Sequence, residues 1–184
     1  ISQVFDILQS IRRGEQVVAL VAPAFLAQYD APTEQVYGAI KSVGFSEIVE
    51  VAQGAMITTE KEAAELAEKI EEGQPFMTTS CCPSYVEMAE KHVPYLKKYI
   101  SSTRSPMYYT AQIAKEKYPN AKLVFIGPCI AKRKEARRDD LVDYVLTFEE
   151  LHSIFLGMNI DIAQQQNYTV EQSAIRAAHG FAQG

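Results

Sequence analysis

Apolar positions along the chain alternate between two periodicities. Val4, Phe5, Leu8 and Ile11 share one face of a helix that Ser2 can cap and Gly14 ends. The run "VVALVA" (17–22) is continuously apolar as far as Ala22-Pro23, which suits a strand covered on both faces, as in a parallel sheet. Helical spacing returns from Thr33 to Val43 and stops at Gly44, and "SEIVEV" (46–51) reads as a second strand. A long polar helix through "TTEKEAAELAEKIEEG" (58–73) is broken at Gln74-Pro75, and "FMTT" (76–79) reads as a third strand. Helices follow over Pro83–Val93 and Pro106–Lys117, then "KLVFIG" (122–127) as a fourth strand. "DYVLTFEELHSIFLGMN" (143–159) is a strand running into a helix, with Thr147 and Glu150 spaced for a capping box. Strands alternating with helices predict an α/β fold, here a largely parallel four-stranded sheet flanked by helices.

Composition narrows the class. At 184 residues, 47% hydrophobic and 22% charged, the chain can bury one substantial core and needs no membrane. A net charge of −5, with Lys and Arg scattered among carboxylates, excludes a nucleic-acid footprint. Three cysteines make no paired disulfide framework, and no apolar run is long enough to cross a membrane, so the expected setting is cytoplasmic. The chain opens at Ile1 without a methionine or a signal-like segment, which reads as a piece of a longer polypeptide.

In α/β folds, ligands sit beyond the carboxyl ends of the strands. Three loops follow strands in this way: "VAPAF" (21–25), "TTSCCPSY" (78–85) and "IGPCIAKRKE" (126–135). All three cysteines, Cys81, Cys82 and Cys129, fall in the last two, whereas structural cysteines belong on strands or helix faces. Unpaired amides at a helix start lower a thiol pKa, and Lys132 adds a positive charge. Soft thiolates beside amides and a cation suit an anionic iron-sulfur centre. Zinc is the main competitor, although its structural sites prefer cysteines two to four residues apart. A vicinal redox pair and three plain core cysteines are the remaining readings.

"TSCCPSY" (79–85) and "GPCIAKRKE" (127–135) resemble the first two cysteine motifs of the catalytic domain of FeFe (iron-only) hydrogenases. "APAF" (22–25), "TRSPM" (103–107) and "DYVLTFEEL" (143–151) are similar to segments of that domain in the same order, from about residue 17 to the end. The resemblance implies that residues 1–184 are part of one lobe of this catalytic domain. In the family, the H-cluster joins a 4Fe-4S cubane to a two-iron unit carrying CO and cyanide. Carried over by position, Cys82 and Cys129 would be cubane ligands, and Cys81 would instead pass protons to and from the two-iron unit. Lys132 and the backbone around Ala22 and Pro23 would hydrogen-bond cyanide. Glu62 and Glu65 on the acidic helix, with Ser101, would continue the proton relay. That role calls for at least one buried glutamate with a raised pKa.

The chain also departs from the family pattern. Gly127 stands where the family has Met, and Ser84-Tyr85 where it has Gly-Trp, as in divergent, sensory branches. The third cysteine motif, which supplies the last cubane ligand and the bridging cysteine, is absent, and "HGFAQG" (179–184) resembles the approach to it. His92, His152 and His179 read as core or surface residues, Tyr108-Tyr109 as packing, and "KRKEARR" (132–138) as a solvated basic loop. The resemblance thus implies reversible proton reduction to hydrogen in a parent enzyme. Electrons would come from ferredoxin-like carriers or upstream iron-sulfur domains. This chain alone would be inactive without the missing C-terminal lobe, hold no cofactor, and be prone to self-association. The alternatives are a hydrogen-sensing domain and an iron-sulfur assembly protein like Nar1 or the nuclear prelamin recognition proteins. The assembly proteins usually lack the first cysteine of the pair, so Cys81 favours hydrogenase.

Overall fold

The apolar run at 17–21 becomes the centre of the sheet. β1 (Val17–Val21) is buried at every position and pairs in parallel with β2 (Glu47–Glu50) on one side and β3 (Lys122–Gly127) on the other. β4 (Tyr144–Thr147) joins β3, giving the all-parallel order β2-β1-β3-β4. The computed structural model describes residues 2–175. The α/β class and the four-stranded parallel sheet flanked by helices are therefore as expected, with one change of membership.

That change concerns Phe76–Thr79. It forms no ladder, only one parallel bridge between Thr78 and Ile100, and the fourth strand of the sheet is Tyr144–Thr147. The reason is local. Phe76 stacks on Tyr99 at 4.4 Å between ring centres and stays 42% exposed, so this short run has no second covering layer.

Eight α-helices are present among the described residues: α1 (Val4–Arg12), α2 (Phe25–Gln28), α3 (Thr33–Val43), α4 (Val51–Glu71), α5 (Pro83–His92), α6 (Pro106–Lys117), α7 (Lys132–Asp139) and α8 (Phe148–Gly157). α3 and α6 keep the bounds that their spacing predicts. α4 starts at Val51, directly after β2, because "VAQGAMI" continues the buried stripe that packs on α6. In α1 the buried face is centred on Ile7, and Phe5 points outward at 72% exposure. Ser2 Oγ only reaches the Val4 amide at 3.4 Å, while the cap position belongs to Gln3, whose side chain accepts from the Val145 amide. The Thr147/Glu150 capping box forms in full, which is worth about 1 kcal/mol to α8.

The order β2-β1-β3-β4 matters for function. The chain leaves β1 towards one edge to make β2, then returns to make β3 on the other side of β1. The carboxyl ends of β1 and β3 are thus neighbours at a topological switch point, where α/β sheets hold ligands. Residues 22–24 and 128–131 leave the sheet there.

Candidate functional site

Residues 22–24 follow β1 as a short turn into α2. Ala22 is buried and its amide donates to Ile126 O at 2.8 Å, prolonging the ladder by one rung. Since Pro23 has no amide hydrogen and the Ala22 amide is committed to the sheet, neither named residue offers a backbone donor to a ligand. A donor from this turn would have to come from Ala24.

Cys82 is the N-cap position of α5, with Pro83 opening the helix, so Pro83 fixes where the helix begins and where the thiol sits. Cys82 and Cys129 are exposed, Cys81 is half-buried, and all three are free thiols. Thr79 Oγ1 lies 3.7 Å from Cys81 Sγ.

Lys132 joins the two cysteine loops. Its ammonium donates to Cys81 O at 2.9 Å and to Glu135 Oε2 at 2.7 Å. Glu135 is 4% exposed and also accepts the hydroxyl of Ser105. The basic stretch from 132 is therefore not a solvated loop but the helix α7, whose first two residues turn inward. Lys132 meets Glu135, and Arg133 meets both carboxylate oxygens of Glu150 at 2.7–2.8 Å. Lys134 and Arg138 face outward and pair with Glu87 and Asp139.

The acidic helix brings Glu62 and Glu65 to the same place. Glu62 Oε1 accepts from the Ser80 amide at 3.2 Å, next to Cys81. Glu65 accepts from the Ser101 hydroxyl at 2.5 Å, the Ser102 amide at 2.8 Å and the Thr103 hydroxyl at 3.1 Å. Both glutamates are half-buried, and Ser101 is buried. Among the described residues, no hydrogen bond joins the Cys81 thiol directly to Glu62 or Ser101. The expected raised carboxyl pKa is not found at Glu65. Desolvation is the largest single influence and pushes upward, but the hydrogen bonds from Ser101, Ser102 and Thr103 together hold this carboxyl below its ordinary value.

A cavity of about 580 Å³ lies beside this network, lined by Ser80, Pro83, Ser101, Thr103, Ser105 and Glu135 among others. The segment 101–105 ties its walls together. Ser80 Oγ donates to Thr103 O, Arg104 meets Asp139 at 2.9 Å, and Ser105 caps α6 while donating to Glu135. Glu135, Ser105, Thr103 and Ser80 were not singled out by sequence reasoning. Two signals were available: the i,i+3 spacing of Lys132 and Glu135, and the dense hydroxyls of "SSTRS" immediately before a helix.

Of the histidines, His92 and His152 are exposed, and His179 lies outside the described residues, as does "HGFAQG". Tyr108 and Tyr109 pack edge to face at 5.5 Å. No helix among the described residues is long and apolar enough to cross a membrane.

Comparison with known proteins gives one family. Residues 15–184 match the profile described as iron only hydrogenase large subunit, C-terminal domain. The chain is similar to iron hydrogenase 1 of Clostridium pasteurianum, with 33% identity over 151 residues, 73% of this chain and 26% of that protein. It is also similar to the cytosolic Fe-S cluster assembly factor NAR1 of Eremothecium gossypii, with 30% identity over 123 residues, 65% of this chain and 27% of the relative. Among solved structures, the [FeFe]-hydrogenase HydA(deltaEFG) superimposes with a TM-score of 0.81 at 27% identity, covering 95% of this chain and 51% of that one. The chain thus spans about half the length of that structure and about a quarter of the two sequence relatives.

Proposed function

The chain belongs to the iron-only hydrogenase large-subunit, C-terminal-domain family, and on that premise we propose that it forms one lobe of an FeFe hydrogenase catalytic domain. The observation that carries the reading is the bond from Lys132 to the Cys81 carbonyl. It links the two cysteine-bearing loops beside a switch-point crevice. The donor set fits an iron-sulfur group in kind: three free thiols, two of them exposed, with the half-buried Lys132 ammonium bound to the backbone carbonyl of Cys81. It is incomplete in number, since no group of three or more His, Cys, Asp or Glu suited to a metal occurs among the described residues.

Cys82 and Cys129 would hold the 4Fe-4S part of the H-cluster, with further ligands from the second lobe. When bound, the H-cluster supplies the redox chemistry that interconverts protons and hydrogen. The residues of this chain have simpler tasks. Lys132 keeps one ammonium proton to offer to an anionic ligand, because its other two donors serve Cys81 O and Glu135. Glu135 holds that ammonium in place.

Cys81 takes up and releases the proton at its sulfur. The hydroxyl of Ser101 donates to Glu65, so a proton arriving at this hydroxyl can be handed on to the carboxylate at the surface of α4. Electrons would come from a ferredoxin-like carrier or upstream iron-sulfur domains, in a cytoplasmic setting. A hydrogen-sensing role uses the same site. The assembly-factor reading draws on the NAR1 similarity. Cys81 weighs against it, because a cluster-holding protein has no need of a second, proton-bearing thiol.

The test uses a complete, matured parent protein. Cys81→Ala should leave its iron content nearly intact and suppress hydrogen turnover, and Cys82→Ala should lower the iron content itself. Equal loss of iron in both variants would overturn the division of roles.

A further inference from the structure

Glu50 is 1% exposed, lies at the last position of β2 and has no place in the proposed chemistry. Its carboxylate is nevertheless surrounded by donors. Tyr37 Oη donates to Oε1 at 2.9 Å, and the Ser173 hydroxyl approaches Oε1 at 3.1 Å and Oε2 at 3.3 Å. The backbone amides of Ala174 and Ile175 donate to Oε2 at 2.6 and 2.9 Å. Glu50 also precedes α4 as its N-cap residue, where the positive end of a 21-residue helix favours negative charge. Burial and the neighbouring Glu50 push the Tyr37 hydroxyl far above its ordinary pKa, so it stays protonated and donates.

Three of these four donor groups come from one stretch of chain more than 120 positions away. The preceding part of that stretch is laid along the outer edge of the sheet. Gln166 crosses α3 so closely that a Cβ at Gly38 would collide with the Gln166 carbonyl, and only glycine fits there. Tyr168 donates from its amide to Glu34 O at 2.9 Å and from its hydroxyl to Glu47 at 2.7 Å. Gln53 Nε2 holds Gln172 O at 2.8 Å. The two glutamates of the edge strand therefore grip the strap at both ends, Glu47 at the amino end of β2 and Glu50 at its carboxyl end.

We propose that Glu50 is a positioning residue, a latch that seats the 166–175 strap along β2. It fixes Ile175 at the carboxyl end of the sheet, the end from which the cysteine loop after β3 also leaves. A plain core residue would satisfy its own burial with neighbouring groups. Glu50 instead receives two successive backbone amides and a hydroxyl from a segment that makes no ladder with the sheet. The purpose of the latch rests on the cluster reading above, because a site that needs ligands from further along the chain needs residue 175 held at this end.

The test is amide hydrogen exchange on the 184-residue chain, which uses neither iron nor turnover and so can fail independently of that reading. In Glu50→Gln, exchange over 173–175 should accelerate about tenfold or more, while the amides of β1 and β3 keep their protection. If Glu50→Gln does not fold, Ser173→Ala combined with Ala174→Pro removes two of the strap's donors without touching the core, and the same local release is expected at Tyr168 and Ile175. Unchanged exchange across the strap in the variant that folds would overturn the latch. Equal loss of protection in β1 and β3 would also overturn it, by making Glu50 a general core residue.

Discussion

Lys132 and Glu135 form an ion pair of 2.7 Å in which the lysine side chain is 14% exposed and the glutamate 4%. Pairs this enclosed are expensive to break by halves, because the remaining charge is left in a poor solvent. Lys132→Met is expected to destabilise the chain by about 3 kcal/mol, of which part returns in Lys132→Met/Glu135→Gln. Urea unfolding of the two single variants and the double variant measures the coupling. Simple additivity would show that the pair contributes nothing beyond its separate side chains.

Glu65 supplies a pH dependence whose direction can be worked out. Its folded-state pKa lies below the ordinary 4.5, so the ionised form is favoured by folding. The stability it contributes is present above the unfolded value and disappears as pH falls through the folded one. Glu65→Gln should therefore be less stable than the parent at neutral pH, and the two should converge in acid, below the range of ordinary carboxylates. Unfolding curves at a series of pH values between about 7 and 3 test this. A difference that persists unchanged into acid would assign the effect to packing. The same sign bears on the proposed proton relay: a carboxylate held ionised is free to accept a proton from Ser101 and poorly suited to keep one.

Gly127 can be read against Phe125. Alternate residues of a strand share a face, and an ideal Cβ on Gly127 would lie 2.5 Å from Phe125 Cε1 and 3.3 Å from Ala22 Cβ. The ring of Phe125 thus fills the room in which a side chain at 127 would start. Gly127→Ala is expected to cost about 1–3 kcal/mol by overpacking, and Phe125→Leu should relieve that cost when combined with it. The double-variant cycle in urea is the measurement, and a coupling near zero would mean that the ring moves aside freely.

What the sequence revealed follows from these particulars. The runs at 17–21 and 122–127 and the helices at 33–43 and 106–117 carry strong periodicity with clear stops, and they appear where the pattern puts them. Phe76–Thr79 looked like a strand because four residues cannot distinguish a buried ladder from a lone bridge. The cysteine loops stood out because they sit at strand ends. Glu135, Thr103 and Ser105 did not, because a polar side chain that reaches across 30 or more positions leaves no periodic trace in the chain. Glu50 was hidden in the same way, reading as one charge in an edge strand while three of its four donors lie 123 to 125 residues on.

The final expectation concerns the 184-residue chain by itself. Cys82 and Cys129 would provide two thiolates to a cubane that takes four, and among the described residues no third ligand stands ready. Both thiols are exposed, as is Ile130, next to Cys129, at 62%, so the loop after β3 presents a free thiol and an apolar side chain together. A cluster held by two ligands on a solvent-facing edge exchanges readily, because binding has to order the ligand loops as well as coordinate iron. After anaerobic reconstitution, this chain should retain little iron and acid-labile sulfide and evolve no hydrogen. It should also show self-association by light scattering, driven by the uncovered apolar surface. A version extended to the full length of its family relatives should retain cluster, gain turnover after maturation and lose the self-association. Near-stoichiometric 4Fe-4S binding with hydrogen evolution by the 184-residue chain would show that its own residues complete the site, and the one-lobe reading would fall.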